Sequence, residues 1–115
     1  MKVKQFEGWL YECRTYDCND LLLFDRQLTM QDIEKHAEER RREIEEAYDD
    51  CELLRTEELQ ELERDVMLQR EKLVDGVLVC NCLRPCHIEG AKSILELFER
   101  FKGKRIRVRV EVEDR

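Results

Sequence analysis

Apolar positions recur at two different periods along this chain, and the changes of period mark out its elements. Residues 3–13 are rich in aromatic and β-favouring types, with Phe6, Trp9, Leu10 and Tyr11 among them. A second apolar run, Leu21, Leu22, Leu23 and Phe24, follows after the polar segment 14–20. Two such runs joined by turn-forming residues predict a β-hairpin with Cys13 and Cys18 near its tip.

From residue 29 the period becomes helical. Thr29 is a good N-cap, Asp32 suits the positive end of the helix dipole, and Leu28 with Ile33 holds the two positions of a hydrophobic staple. Ile33, Ala37, Ile44, Ala47, Cys51 and Leu54 fall at steps of three and four, interrupted by Arg40. Leu59, Leu62, Val66 and Leu73 continue in a shifted register. The shift is either a stutter in one continuous helix or a turn between two antiparallel helices, the second capped by Thr56. One continuous helix over 29–74 would span ~69 Å at 1.5 Å per residue, a rod that needs a partner copy to cover its apolar stripe.

Asp75 and Gly76 end this arm. Val77, Leu78, Val79, Cys80, Asn81 and Cys82 read as a buried strand. Ala91, Ile94, Leu95, Phe98 and Phe101 share one helical face, predicting a helix over 89–102 that Gly103 terminates. The end of the chain alternates: Ile106, Val108, Val110 and Val112 point one way, and Arg105, Arg107, Arg109, Glu111 and Glu113 the other, as in a strand with one buried and one wet face. The expected fold is therefore one α+β domain over 1–115. Its small, mostly antiparallel sheet is the β-hairpin plus two further strands, 77–82 and the C-terminal one, with one covering helix. The 29–74 arm, a coiled-coil helix or a helical hairpin, is inserted between the hairpin and the C-terminal strand-helix-strand.

Charge changes this picture by showing which surfaces are wet. Charged residues make up 43% of the chain but the net charge is only −7, so opposite charges are interleaved. The arm is strongly acidic and residues 76–115 are slightly basic. Many Glu and Arg beside a single Ser and two Asn resembles thermophile composition. No stretch approaches the apolar length that crosses a bilayer, and residues 1–6 lack the apolar core of a secretory signal; the expectation is a cytoplasmic protein without membrane contact.

The six cysteines are the main candidate chemistry. Cys13 and Cys18 at a hairpin tip, with Cys80, Cys82, Cys86 and His87 where a strand ends at Pro85, form two knuckles of the kind that meet in a zinc ribbon. Thiolates suit Zn²⁺, and a small core often depends on such a staple. The preferred ligands are Cys13, Cys18, Cys82 and Cys86, with Cys80 or His87 as substitutes. Buried thiols that act as small hydrophobes, or disulfides, are the alternatives. Cys51 on the helical seam is read as a buried hydrophobe.

Two other patterns carry less. Cys86 to Lys92 has the outline of a phosphate-cradling cysteine loop, but Lys stands where bidentate Arg is needed and Glu89 would repel the anion. Lys102, Lys104, Arg105, Arg107 and Arg109 form a basic stripe that can follow a phosphate backbone, yet no aromatic residues alternate with them to stack bases. No Ser-His-Asp or paired-carboxylate pattern stands out. The leading expectation is a non-enzymatic interaction or assembly protein, stapled by zinc and forming a homodimer or binding a protein partner through its arm. The alternatives are a zinc-ribbon-like nucleic-acid-binding module using the basic C-terminal strand, and a thiol redox protein cycling Cys80 and Cys82.

Overall fold

The fold is given by a computed structural model that describes residues 3–15 and 19–113. The apolar runs at the N-terminus form strands β1 (Trp9–Arg14) and β2 (Asn19–Phe24). They pair antiparallel with Tyr11 opposite Leu22 and Cys13 opposite Asp20. Alternation then sends Tyr11, Cys13, Leu22 and Phe24 into the core, where all four are buried. The rings of Tyr11 and Phe24 meet edge to face at 5.5 Å, and the Tyr11 hydroxyl accepts the Leu28 N–H at 2.9 Å.

That bond anchors the entry to helix α1 (Met30–Ala47). Thr29 and Asp32 make the reciprocal cap: Thr29 Oγ1 accepts from the Asp32 N–H at 3.3 Å, and the Thr29 N–H donates to Asp32 Oδ2 at 2.8 Å. Leu28 and Ile33 are both buried, as a staple requires.

The arm is a helical hairpin. A turn at residues 48–50 follows α1, and α2 runs over Glu52–Lys72 with Cys51 at its N-cap. Thr56 is therefore inside α2 and caps nothing. Asp49 and Asp50 lie where the chain reverses, and Cys51, expected in the seam, is half-buried at the reversal instead. The helices run antiparallel, with Arg41 on Glu63 at 2.6 Å and Arg70 on Glu34 at 3.2 Å. These exposed pairs stabilise little. The decisive term is burial of Ile33, Ala37, Ile44 and Leu62 in one core cluster with residues of the sheet. Folding back supplies each helix with the cover that a straight rod would need from a second chain. Just past the reversal Leu53 and Leu54 are exposed.

After a 3-10 turn at Leu73–Asp75, Gly76 adopts a left-handed conformation (φ 72°) that turns the chain into β3 (Val77–Val79). β3 returns through the helical crossover and so pairs parallel to β1, with Leu78 beside Cys13. A second 3-10 turn, Pro85–His87, leads to β4 (Lys92–Ser93), which pairs antiparallel with β2. The sheet order is β3-β1-β2-β4. Helix α3 (Ile94–Glu99) lies beside β2 and β4. It is shorter than the helix expected over 89–102, because Lys92 and Ser93 pair with β2 and Ser93 becomes the N-cap, accepting from the Glu96 N–H.

The fourth strand is thus β4 and not the C-terminal segment. Residues 105–113 belong to no strand, and Ile106, Val108, Val110 and Val112 are all exposed. The β3 edge that would have received another strand is closed by the Gln69 side chain, which bonds Val77 O and the Val79 N–H. β4 forms the opposite edge.

Candidate metal centre

Three thiols from separate stretches of chain converge at one end of the sheet. Cys13 and Leu78 are neighbours on β1 and β3. The Cys80 N–H continues that ladder by donating to Arg14 O at 2.9 Å, so Cys80 keeps the parity of Leu78 and faces Cys13. Cys86 is brought back by the Pro85–His87 turn, which starts from Arg84 in a left-handed conformation (φ 53°). The sulfurs of Cys13, Cys80 and Cys86 lie within 4.8 Å of one another. Cys13 and Cys80 are buried and Cys86 is half-buried.

The loop between the second and third thiols is held by the helical hairpin. Buried Asp65 accepts the N–H groups of Cys82 at 2.7 Å and Leu83 at 3.0 Å with one carboxylate oxygen. Arg40 Nε donates to Cys82 O at 2.9 Å. His36 Nε2 lies 2.8 Å from Arg84 O; a carbonyl only accepts, so that nitrogen carries the proton. Three side chains of the arm therefore determine where Cys86 re-enters.

The thiols divide their protons unequally. The Cys86 thiol is lowered to about 6, chiefly because Cys80 donates a hydrogen bond to its sulfur; burial opposes this, and Cys13 and the nearby His87 assist. Cys80 is raised far above the usual thiol range by the same bond to Cys86 and by burial. Burial is the main cause that pushes Cys13 up to about 11. One thiolate held by two thiol donors is a protonated form of a metal-thiolate cluster. A cation of suitable softness takes the place of the shared protons. Tetrahedral Zn–S bonds of about 2.3 Å set sulfurs about 3.8 Å apart, within reach of the present spacing. Cys13, Cys80 and Cys86 are thus a group that can hold a metal ion.

The remaining expected ligands fall differently. Cys18 lies outside the described residues. Cys82 is not in the group: the strand stops at Val79, the chain bends, and the Cys82 thiol faces Glu58, 3.7 Å from its carboxylate and 3.8 Å from its carbonyl. Its pKa is raised by burial and then by Glu58. Cys80, the substitute, takes its place. His87 is exposed and acts on Cys86 only through its charge. Cys80 and Cys82 share strand parity, so the sequence did not separate them; the end of the ladder at Cys80 did. Asp65 and Gln69, buried on α2, carried no signal in a helix crowded with charge.

The basic stripe is exposed throughout but does not ride on a strand. Lys102 pairs with Glu99 at 3.3 Å and Arg109 with Glu111 at 3.1 Å. The segment from Cys86 to Lys92 forms no phosphate cradle: its far end pairs into the sheet, and the helix beyond begins at Ile94. Among the described residues no helix is long and apolar enough to cross a membrane. No protein-family model, curated protein or solved structure matches the chain.

Proposed function

We propose that this chain is a non-enzymatic interaction and assembly module whose small sheet is stapled by zinc at Cys13, Cys80 and Cys86. The observation that carries the reading is the meeting of three sulfurs within 4.8 Å from β1, the end of β3 and the following turn. An all-sulfur donor set favours Zn²⁺ over hard cations. An ion there ties the hairpin to the segment after the arm, which are joined otherwise by a short parallel ladder and side-chain bonds. Structural zinc is four-coordinate, so beside these three thiols the ion takes one further ligand.

The test is elemental analysis with native mass spectrometry on protein purified without chelator. The expected result is one zinc per chain, with Cys13, Cys80 and Cys86 protected from alkylation while the metal is bound. Less than half an equivalent overturns the staple. Thiol redox chemistry is the second reading, favoured by the low-pKa Cys86 beside two thiols. It would appear as a metal-free chain lighter by two hydrogens with a disulfide inside this trio.

A further inference from the structure

We infer that the C-terminal segment 107–113 pairs antiparallel with the same segment of a second copy, in a register centred on Val110. Such pairing supplies the assembly surface that the proposed function requires, and it is independent of the zinc.

The segment is built as a strand and lacks a strand's partner. Its apolar and charged residues alternate without a break from Arg105 to Glu113. Among the described residues, no backbone hydrogen bond ties 105–113 to the sheet. Val108 is 59% exposed, Val110 79% and Val112 80%. The β3 edge of the chain's own sheet is capped by Gln69, and among the described residues no ladder joins this segment to β4 at the opposite edge. An exposed, alternating, Val-rich strand seeks another strand.

Its charges say which strand. In antiparallel pairing about Val110, Arg107 faces Glu113 of the second copy and Arg109 faces Glu111, while Val108 faces Val112 and Val110 faces its own counterpart. Every charged pair is opposite in sign and every apolar pair is apolar on both sides. Shifting the centre to Arg109 or Glu111 sets like charges against each other on the axis. Centring on Val108 or Val112 opposes Arg to Arg or Glu to Glu. A shift by a single residue in pairing puts Val against charge. Parallel in-register pairing stacks Arg on Arg. The arrangement about Val110 is isologous, so it closes as a dimer.

A two-stranded ribbon alone is marginal and needs one face covered. Each copy leaves Leu10, Leu21 and Leu95 exposed, and Leu21 with Leu95 borders an open depression of ≈ 390 Å³ between β2 and α3. The Val face of the ribbon has apolar surface of this kind to close on.

Native mass spectrometry and sedimentation of the full chain test the pairing. Wild type is expected to dimerise. The all-acidic variant Arg107→Glu/Arg109→Glu and the all-basic variant Glu111→Arg/Glu113→Arg are each expected to be monomeric, and an equimolar mixture to form the heterodimer. Val110→Cys is expected to yield a disulfide between copies at that position, and Val108→Cys not to link to itself. Zinc content is read in the same spectra, so loss of the dimer with one zinc retained is distinguishable from failure of the staple. A wild type that stays monomeric at high micromolar concentration overturns the inference. So does a dimer that both charge reversals leave intact, which would move the interface to the helical hairpin. A monomer that shifts DNA or RNA at low salt overturns it in favour of the basic stripe as a nucleic-acid surface.

Discussion

The side chain of Gln69 stands in for a missing strand beside Val79: its Oε1 accepts the Val79 N–H at 2.7 Å, and its Nε2 donates to Val77 O at 2.8 Å. A fully buried amide thereby satisfies a backbone donor and a backbone acceptor that would otherwise be desolvated without partners. It also forbids edge-to-edge pairing at β3.

Gln69→Leu keeps the volume and removes both bonds. The expected loss is about 2–4 kcal/mol of folding stability, from leaving two buried backbone groups unpaired. Urea unfolding followed by circular dichroism measures it. A loss below about 0.5 kcal/mol would mean that water replaces the amide.

Asp65 positions the loop between Cys80 and Cys86 without touching either thiol. Asp65→Ala orphans the Cys82 and Leu83 N–H groups and frees the loop. Zinc affinity is expected to fall by ~10–100-fold, as for groups that orient ligands from behind. Competition with a chromophoric chelator reads this directly, and unchanged affinity would show that the turn at Pro85 alone places Cys86.

The cysteines are expected to separate into two sets. Cys80→Ser removes a ligand and should weaken zinc binding at least ~100-fold. Cys82→Ser and Cys51→Ser should leave one equivalent bound. Loss of zinc with Cys82→Ser would return that residue to the ligand set.

Alkylation of the metal-free protein gives a pH test. The Cys86 thiolate persists down to about 6, so its modification by iodoacetamide should have its midpoint there, well below that of an ordinary thiol. The folded pKa is depressed, so Cys86 favours the folded state most above its unfolded pKa of about 8.5, and this contribution is lost as pH falls through about 6. Cys13 has the opposite sign: its contribution is full below about 8.5 and lost as pH rises through about 11. The difference in urea midpoint between wild type and Cys86→Ser should therefore widen from pH 6 to 8.5. A flat difference counts against the shared-proton cluster.

Thr29→Ala tests the entry to the arm. Loss of the reciprocal bonds with Asp32 should cost about 1 kcal/mol. Thr56→Ala, inside α2, should cost nothing measurable, since Ala is a better helix former.

Short-range rules account for much of this molecule. The N-terminal hairpin, the capped start at Thr29, the stop at Gly76 and the helical period of the arm each rest on residues a few positions apart, and each stands in the structure. The cysteines as metal-binding candidates were legible for the same reason: thiol chemistry belongs to the residue. Contacts between distant segments decided the rest. The arm folds back at residues 48–50 because burying Ile44 and Leu62 in one core outweighs continuing a helix that nothing interrupts. Cys80 joins Cys13 because a parallel ladder sets its face, and Cys82 leaves because the chain bends after Val79. Residues 105–113 alternate as a strand does, yet a strand needs a backbone partner, and Gln69 occupies the groups that β3 would have offered. Periodicity states what a segment can pair with; available backbone partners state whether it does.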